Sequence, residues 1–195
     1  MRRRWALTIF ATLAATSAQA ADIQGVMIAP EVDATYSRTM YGNWRDEDGD
    51  CQNTRDEVLI AESLAPVTLR EDSCKVTAGL WFDPYTGMTF TVPGDLDIDH
   101  FVPLKEAHQS GGHAWDTDRR RQYANDLSNP GHLIAVDDST NQSKGDRDPA
   151  EWLPPNQSFR CAYVMAWLAV KRTWGLTADQ AEANAIQAVL DACQP

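Results

Sequence analysis

The chain has 195 residues and a formal net charge of −11, which suits one domain with a sizeable core. After the first twenty residues, no apolar run approaches the roughly 20 residues that a membrane-spanning helix needs. The acidic balance disfavours tight binding of nucleic acid, because contacts to phosphate need cations.

The first twenty residues have the pattern of a secretory signal peptide. Three arginines (residues 2–4) precede an apolar run from Trp5 to Ala15 and an Ala-x-Ala cleavage site at 18–20. The apolar run is too short for a membrane anchor, which needs roughly 20 residues. We therefore predict a signal peptide at 1–20 and one domain at 21–195, secreted or periplasmic and free of the membrane. Loss of the three arginines changes the net charge from −11 to −14.

The N-terminal half of the domain predicts few regular elements. In order, these are an irregular segment at 21–43, a helix at 54–64, a β-hairpin of 76–81 with 88–92, a strand at 96–101 and a short helix at 103–110. Val58, Leu59 and Ala61 lie on one side of the first helix. Pro103 is favoured at the first position of the short helix, which Gly111 then ends.

The C-terminal half predicts more helix. Its elements are a helix at 117–124 capped by Asp116 or Thr117, a buried strand at 133–136, a short helix from about 139, and two long helices at 156–174 and 177–193. Thr177 and Gln180 have the spacing of a capping box, and Gly175 is a plausible helix stop. The predicted class is α+β with a C-terminal helical hairpin.

The four cysteines all lie in the predicted mature part, and their even number in an exported chain predicts two disulfides. Four cysteines allow three pairings. Cys51–Cys74 and Cys161–Cys193 are favoured, because the second pair lies at matching heights on the predicted helical hairpin. None has a Cys-x-x-Cys partner, so we do not expect zinc or redox chemistry.

The chemistry is concentrated in two strings, residues 99–103 and 141–146. Asp99 places a ligand for a hard metal beside His100, a general base, and Asn141 supplies a second oxygen ligand. Lys144 adds a nearby positive charge. These residue types together predict hydrolysis of phosphodiesters with one metal ion.

The order of elements and these residues resemble the HNH, or ββα-metal, nucleases. Residues 99–103 look like the Asp-His-Ile-Val-Pro string of HNH domains in CRISPR effector nucleases, and His132 and Asn141 have the spacing of the later motif positions. The chain is more similar to a secreted HNH family related to the C-terminal domain of GmrSD restriction enzymes. That similarity covers about residues 41–193 and is carried by Trp44, Asp48-Gly49, Asn53-Thr54-Arg55, Gly79-Leu80-Trp81, Tyr85-Thr86-Gly87, Ser110-Gly111, Trp115, Arg120, Tyr123-Ala124-Asn125-Asp126, His132-Leu133 and Asp148-Pro149-Ala150-Glu151-Trp152-Leu153-Pro154.

The resemblance implies a ββα-metal core in which Asp99 and Asn141 hold the metal and His100 is the general base. His132 stands where many HNH members have asparagine, so it either braces the His100 loop or approaches the substrate. Two oxygen ligands leave positions for water and phosphate, which suits one divalent cation, Mg²⁺ or Mn²⁺. Lys144 or Arg55 is expected to neutralise charge developing on the phosphate.

The expected function is a monomeric, exported, metal-dependent endonuclease that prefers DNA. A local basic strip on the acidic body could be formed by Lys105, Arg119–Arg121, Lys144 and Arg147, although Arg119–Arg121 are more often a solvated face than a contact with DNA. A buried ion pair is the alternative for Arg120. One alternative is a nuclease that prefers RNA or single strands. The other is a catalytically silent exported protein that binds metal or nucleic acid.

Overall fold

The computed structural model describes residues 21–193, so the predicted signal peptide lies outside the described residues. This part of the chain is a mixed α+β structure. Its six α-helices are α1 (Thr54–Glu62), α2 (Leu104–Gln109), α3 (Thr117–Ala124), α4 (Asp138–Lys144), α5 (Arg160–Trp174) and α6 (Gln180–Ala192). Its strands are β1 (Asp22–Ile23), β2 (Val26–Met27), β3 (Thr68–Leu69), β4 (Val76–Ala78), β5 (Trp81–Asp83), β6 (Met88–Phe90), β7 (Leu96–His100) and β8 (Leu133–Asp137).

The strands form four two-stranded antiparallel sheets, each pairing one strand with the next along the chain. The prediction of one strand over residues 76–81 was wrong. These residues belong to two strands, since β4 pairs with β3 whereas β5 pairs with β6. Gly79 lies between β4 and β5, where a Cβ atom would lie 2.4 Å from the Trp81 ring. Trp81 is buried, and its indole N–H donates to the Leu59 carbonyl at 2.7 Å.

The longest pairing is the β7–β8 sheet, which lies between two hydrophobic clusters. Leu96 and Ile98 lie on one face of β7 and pack in one cluster with residues of α1. Ile134 and Val136 of β8 pack in the other, larger cluster, which is the main core. Successive side chains of a strand point to opposite faces. Asp99 and His100, at the end of β7, therefore leave the strand on opposite sides.

The predicted order of strand, excursion, strand and short helix is confirmed in this region. The excursion carries α2 and α3, and Asp116 caps α3 by accepting from the Arg119 N–H at 2.8 Å. Asp137 ends β8 and caps α4, since its carboxylate accepts from the Thr140 N–H at 2.8 Å. Helix α4 therefore starts directly beside the β7–β8 sheet.

Helices α5 and α6 form the predicted hairpin, with Gly175 in the left-handed conformation (φ 66°) between them. The predicted disulfides are both present, Cys51–Cys74 and Cys161–Cys193. The predicted capping box was wrong. Asp179 caps α6 by accepting from the Glu182 N–H, because Thr177 instead donates to the Ser110 carbonyl at 3.1 Å.

Residues 21–45, which we call the N-terminal strap, run across the domain. Ala29 donates its N–H to the Ala178 carbonyl at 2.9 Å, and Val32 donates to the Gln109 carbonyl at 3.0 Å. A 3₁₀ turn at Arg38–Tyr41 then buries Tyr41 completely. Within residues 21–193, no helix combines the length and the apolar character needed to cross a membrane.

Candidate functional site

A cavity of about 260 Å³ opens where β7, α2, α4 and the strap meet. It is lined by Tyr36, Arg38, Ile98, Asp99, His100, Pro103, Leu104, Asn141, Gln142, Gly145 and Asp146. Three of the residues predicted from the sequence, Asp99, His100 and Asn141, are thus brought together. The other three, Arg55, His132 and Lys144, do not line the cavity.

Asp99 is buried at the end of β7 and has one fully engaged oxygen. Its Oδ2 accepts from the Tyr85 hydroxyl and from the Lys144 ammonium, both at 2.6 Å. Burial raises the pKa of Asp99, although Lys144 and Tyr85 oppose this by stabilising the ionised form. Because both bonds go to Oδ2, Oδ1 is the oxygen left to bind a ligand in the cavity.

His100 is held in one orientation by a carbonyl and by two aromatic rings. Its Nε2–H donates to the Ala124 carbonyl at 3.0 Å. The ring is nearly parallel to Trp44, at 5.2 Å between centroids, and to Tyr123, at 6.3 Å. With the proton on Nε2, the lone pair lies on Nδ1. Burial, with a smaller contribution from His132, lowers the pKa of His100 well below its usual value, so the ring is neutral at pH 7.

Asn141 lies in α4 and lines the same cavity. Its amide Nδ2 donates to Asp97 Oδ2 at 3.2 Å, which leaves the amide oxygen as a free acceptor. This oxygen and Asp99 Oδ1 make a small set of hard donors. Such a set fits a hydrated Mg²⁺ or Mn²⁺, which is commonly held by few protein ligands and several waters.

The two predicted phosphate-neutralising cations are engaged elsewhere. Lys144 is 0% exposed and donates to Asp99 Oδ2 and, at 3.0 Å, to the His100 carbonyl. Arg55 donates its Nη2 to the Pro93 and Leu96 carbonyls, at 2.8 Å each. Lys144 therefore orients the strand end, and Arg55 ties α1 to the start of β7.

His132 is 0% exposed, and its Nε2–H donates to the Tyr123 carbonyl at 2.6 Å. Its ring meets the His100 ring edge-on at 6.1 Å and the Tyr123 ring at 4.5 Å. Burial lowers its pKa, so the ring is neutral. Of the two roles expected for His132, this position favours bracing His100 from behind.

The expected basic strip is broken up by internal hydrogen bonds. Lys144 is buried, and Arg120 donates to the carbonyls of Gly112 and His113. Arg147 donates to the Lys144 and Ser143 carbonyls at the end of α4. Long cationic side chains near a helix end commonly bond to its last carbonyls, a choice that charge patterning in the sequence does not reveal.

Sequence reasoning missed several residues of the site. Tyr85 belongs to a Tyr-Thr-Gly string whose similarity to the family was noted, but that string gave no reason to place its hydroxyl on Asp99. Tyr36 and Arg38 line the cavity from the strap, where the sequence has no regular pattern. Trp44 was noted as a family residue, and its stacking on His100 is a tertiary contact.

Two carboxylate clusters lie outside this cavity in the described residues. Glu31, Glu106 and Asp148 are close together below the strap, and Asp46, Asp48 and Asp50 form an exposed turn. The latter is capped by backbone N–H groups of its own loop. Neither cluster contains a residue of the predicted site.

Comparison with known proteins gives two matches. The family described as "GmrSD restriction endonucleases, C-terminal domain" matches residues 52–189. A protein of Arthroderma benhamiae, described as an uncharacterized secreted protein, is 44% identical over 158 residues, covering 81% of this chain and 76% of the relative. No solved structure shows a significant match. The two disulfides agree with an exported protein. The chain belongs to the family of the C-terminal domain of GmrSD restriction endonucleases.

Proposed function

We propose that this chain is an exported, metal-dependent endonuclease that hydrolyses DNA phosphodiester bonds. In this proposal β7, β8 and α4 are the ββα-metal core of an HNH nuclease, and residues 1–20 are a cleaved signal peptide. The family supports a nuclease, and the secreted relative supports export to the periplasm or the medium. The observation that carries the proposal is that Asp99, His100 and Asn141 line one cavity.

His100 is the proposed general base. The Ala124 carbonyl holds the proton on Nε2, so Nδ1 can take a proton from a water molecule that attacks phosphorus. As the water oxygen bonds to phosphorus, the bond from phosphorus to the leaving sugar oxygen breaks. The Trp44 and Tyr123 rings on either side prevent the imidazole from turning away from this path.

Asp99 and Asn141 are the proposed ligands of one divalent cation, through the two oxygens that their other contacts leave free. When bound, such a cation stabilises negative charge on the phosphate and on the leaving oxygen. Lys144 and Tyr85 orient the Asp99 carboxylate for this role. His132 is a positioning residue, because it supports His100 without reaching the cavity.

The test is nicking of supercoiled plasmid by the mature, oxidised protein with Mg²⁺ or Mn²⁺ and with EDTA. We expect metal-dependent nicking that His100→Ala lowers by about 10²–10⁴-fold, the usual contribution of a general base. His113→Ala is the matched control. His113 is only partly buried and bonds to the His108 carbonyl outside the cavity, so this variant should nick normally.

Equal loss in both variants, or full activity in His100→Ala, would contradict the assignment of the base. Parallel assays on single-stranded DNA and RNA decide the substrate. If single-stranded DNA or RNA is cleaved faster than duplex DNA, that nucleic acid is the preferred substrate instead. Absence of cleavage on every nucleic acid with every divalent ion would instead favour a silent binding protein.

A further inference from the structure

The proposed nuclease site lacks the cation that the sequence led us to expect. Lys144 is buried against Asp99, and Arg55 is bonded to two carbonyls. Yet a protein with strongly negative net charge must neutralise phosphate locally to bind a nucleic acid. Beside the proposed metal ion, a cationic side chain that reaches the cavity from another part of the fold would meet this need.

Arg38 meets this need. It is exposed and is the only Lys or Arg among the residues that line the cavity in the described part of the chain. It comes from the strap and so precedes residues 52–189, which match the family. Arg38 therefore places a positive charge in the same cavity as Asp99 and Asn141, the proposed metal ligands.

The Arg38 side chain is held in place before any substrate arrives. Its Nη1 donates to the Gly42 carbonyl at 2.6 Å, and the guanidinium lies over the Trp44 ring at 5.9 Å. Trp44 itself stacks on His100. Tyr41, fully buried beside His108, anchors the turn that carries Arg38. Arg38, Trp44 and His100 thus form one stacked unit at the rim of the cavity.

A guanidinium has more N–H donors than the single bond to Gly42 uses, and its planar fork matches two oxygens of a phosphate. We propose that Arg38 binds a non-bridging oxygen of the nucleic-acid phosphate in this cavity and so sets the substrate beside His100. This inference rests on the proposed nuclease function. It assigns to the strap a substrate-binding role in addition to its packing role.

The first test measures binding without cleavage. A fluorescein-labelled DNA duplex is titrated with His100→Ala and with His100→Ala/Arg38→Ala, in EDTA and over a range of NaCl concentrations. Loss of one charged contact should weaken binding about tenfold or more and lower the salt slope by about 0.9. His100→Ala/Arg38→Lys should bind at an intermediate level, because lysine keeps the charge and loses the fork.

Arg172→Ala, placed in the same His100→Ala background, is the matched control. Arg172 is also exposed and donates its Nη1 to a backbone carbonyl, that of Gln24, at 2.8 Å, but it does not line the cavity. Its removal changes the net charge equally and should alter binding less than twofold. Equal effects of Arg38→Ala and Arg172→Ala would mean a general charge effect and would overturn the proposal.

The second test measures plasmid nicking by Arg38→Ala with His100 intact. We expect kcat/KM to fall about 10–100-fold while the melting temperature stays within a few degrees of wild type. If the wild type cleaves DNA and Arg38→Ala has the same kcat/KM, the proposed role of Arg38 is wrong and the proposed nuclease function is unaffected. Failure of the wild type to cleave or bind any nucleic acid would overturn both.

Discussion

The buried ion pair between Asp99 and Lys144 is the residue-level feature that governs the site. Burial lowers the pKa of Lys144 and raises the pKa of Asp99, so the two charges depend on each other. Bringing both out of water offsets much of their attraction, but leaving one alone is far worse. The pair also fixes which Asp99 oxygen faces the cavity, which connects its stability to its proposed function.

Replacement of Lys144 tests this dependence. Lys144→Met keeps the length of the side chain and leaves the Asp99 charge unpaired in the interior. We expect the free energy of unfolding at pH 8, measured with urea in EDTA, to fall by roughly 3–5 kcal/mol. Lys105→Met is the control, because its 3.9 Å pair with Asp146 is half-exposed and should contribute at most about 1 kcal/mol. Similar losses in both variants would contradict the buried pair.

At the level of elements, a carboxylate of α1 bonds to β8 of the β7–β8 sheet. Glu62, at the end of α1, accepts from the Ala135 N–H of β8 through Oε2 at 2.7 Å. Burial raises the pKa of Glu62 to about 7, against an ordinary value of 4.5, and the bond to Ala135 opposes this only in part. The docking of α1 onto β8 is therefore sensitive to pH.

The sign of this effect follows from the raised pKa. The stabilising contribution of Glu62 is complete below about pH 4.5 and is lost as the pH rises through 7, because the folded state then holds an ionised carboxylate. Glu62→Gln keeps an oxygen for Ala135 and cannot ionise. We expect its unfolding free energy to exceed that of wild type more at pH 8 than at pH 5.

Glu71→Gln, at an exposed position of the β3–β4 turn, serves as the control and should follow the wild-type pH profile in the same urea titrations. If Glu62→Gln and wild type have parallel profiles from pH 5 to pH 8, the raised pKa of Glu62 is wrong.

At the scale of the whole molecule, the strap connects the C-terminal hairpin to the cavity. Glu31 of the strap faces Glu106 of α2, with Asp148, Asp179 before α6 and Lys171 of α5 nearby. Burial, then the hydrogen bond and the repulsion from Glu106, raise the pKa of Glu31 to about 8. We therefore expect the packing of the strap on α2 to depend on the protonation of Glu31.

The attachment of the strap should weaken in alkali. The contribution of Glu31 is complete below about pH 4.5 and is lost as the pH rises through 8, when repulsion from Glu106 and Asp179 is no longer relieved by the proton. Relative to wild type, Glu31→Gln should be more stable at pH 9 than at pH 6 by urea unfolding. Glu151→Gln, exposed in a separate cavity that Glu31 and Glu106 also line, should show no such change. A difference in unfolding free energy between wild type and Glu31→Gln that stays constant from pH 6 to pH 9 would contradict the raised pKa of Glu31.

The sequence by itself determined the elements whose signals are local. The strand ending at Asp99-His100 and the strand at 133–136 follow from short apolar runs bounded by turn residues, and a short helix was predicted after the second strand. The disulfide partners followed from the predicted helical hairpin. The clustering of Asp99, His100 and Asn141 was predicted from the resemblance of their motifs to HNH nucleases, and all three line one cavity.

Only the tertiary structure decided which partners the long polar side chains take. Lys144 and Arg55 were predicted to meet phosphate, and each is bonded inside the fold instead. Arg120, expected in a charged strip or a buried ion pair, donates to backbone carbonyls. Arg38 came from a segment without any pattern. The physical reason is that a backbone element reflects neighbours a few residues away, whereas a side-chain ion pair or cation–aromatic contact depends on atoms far apart in the chain.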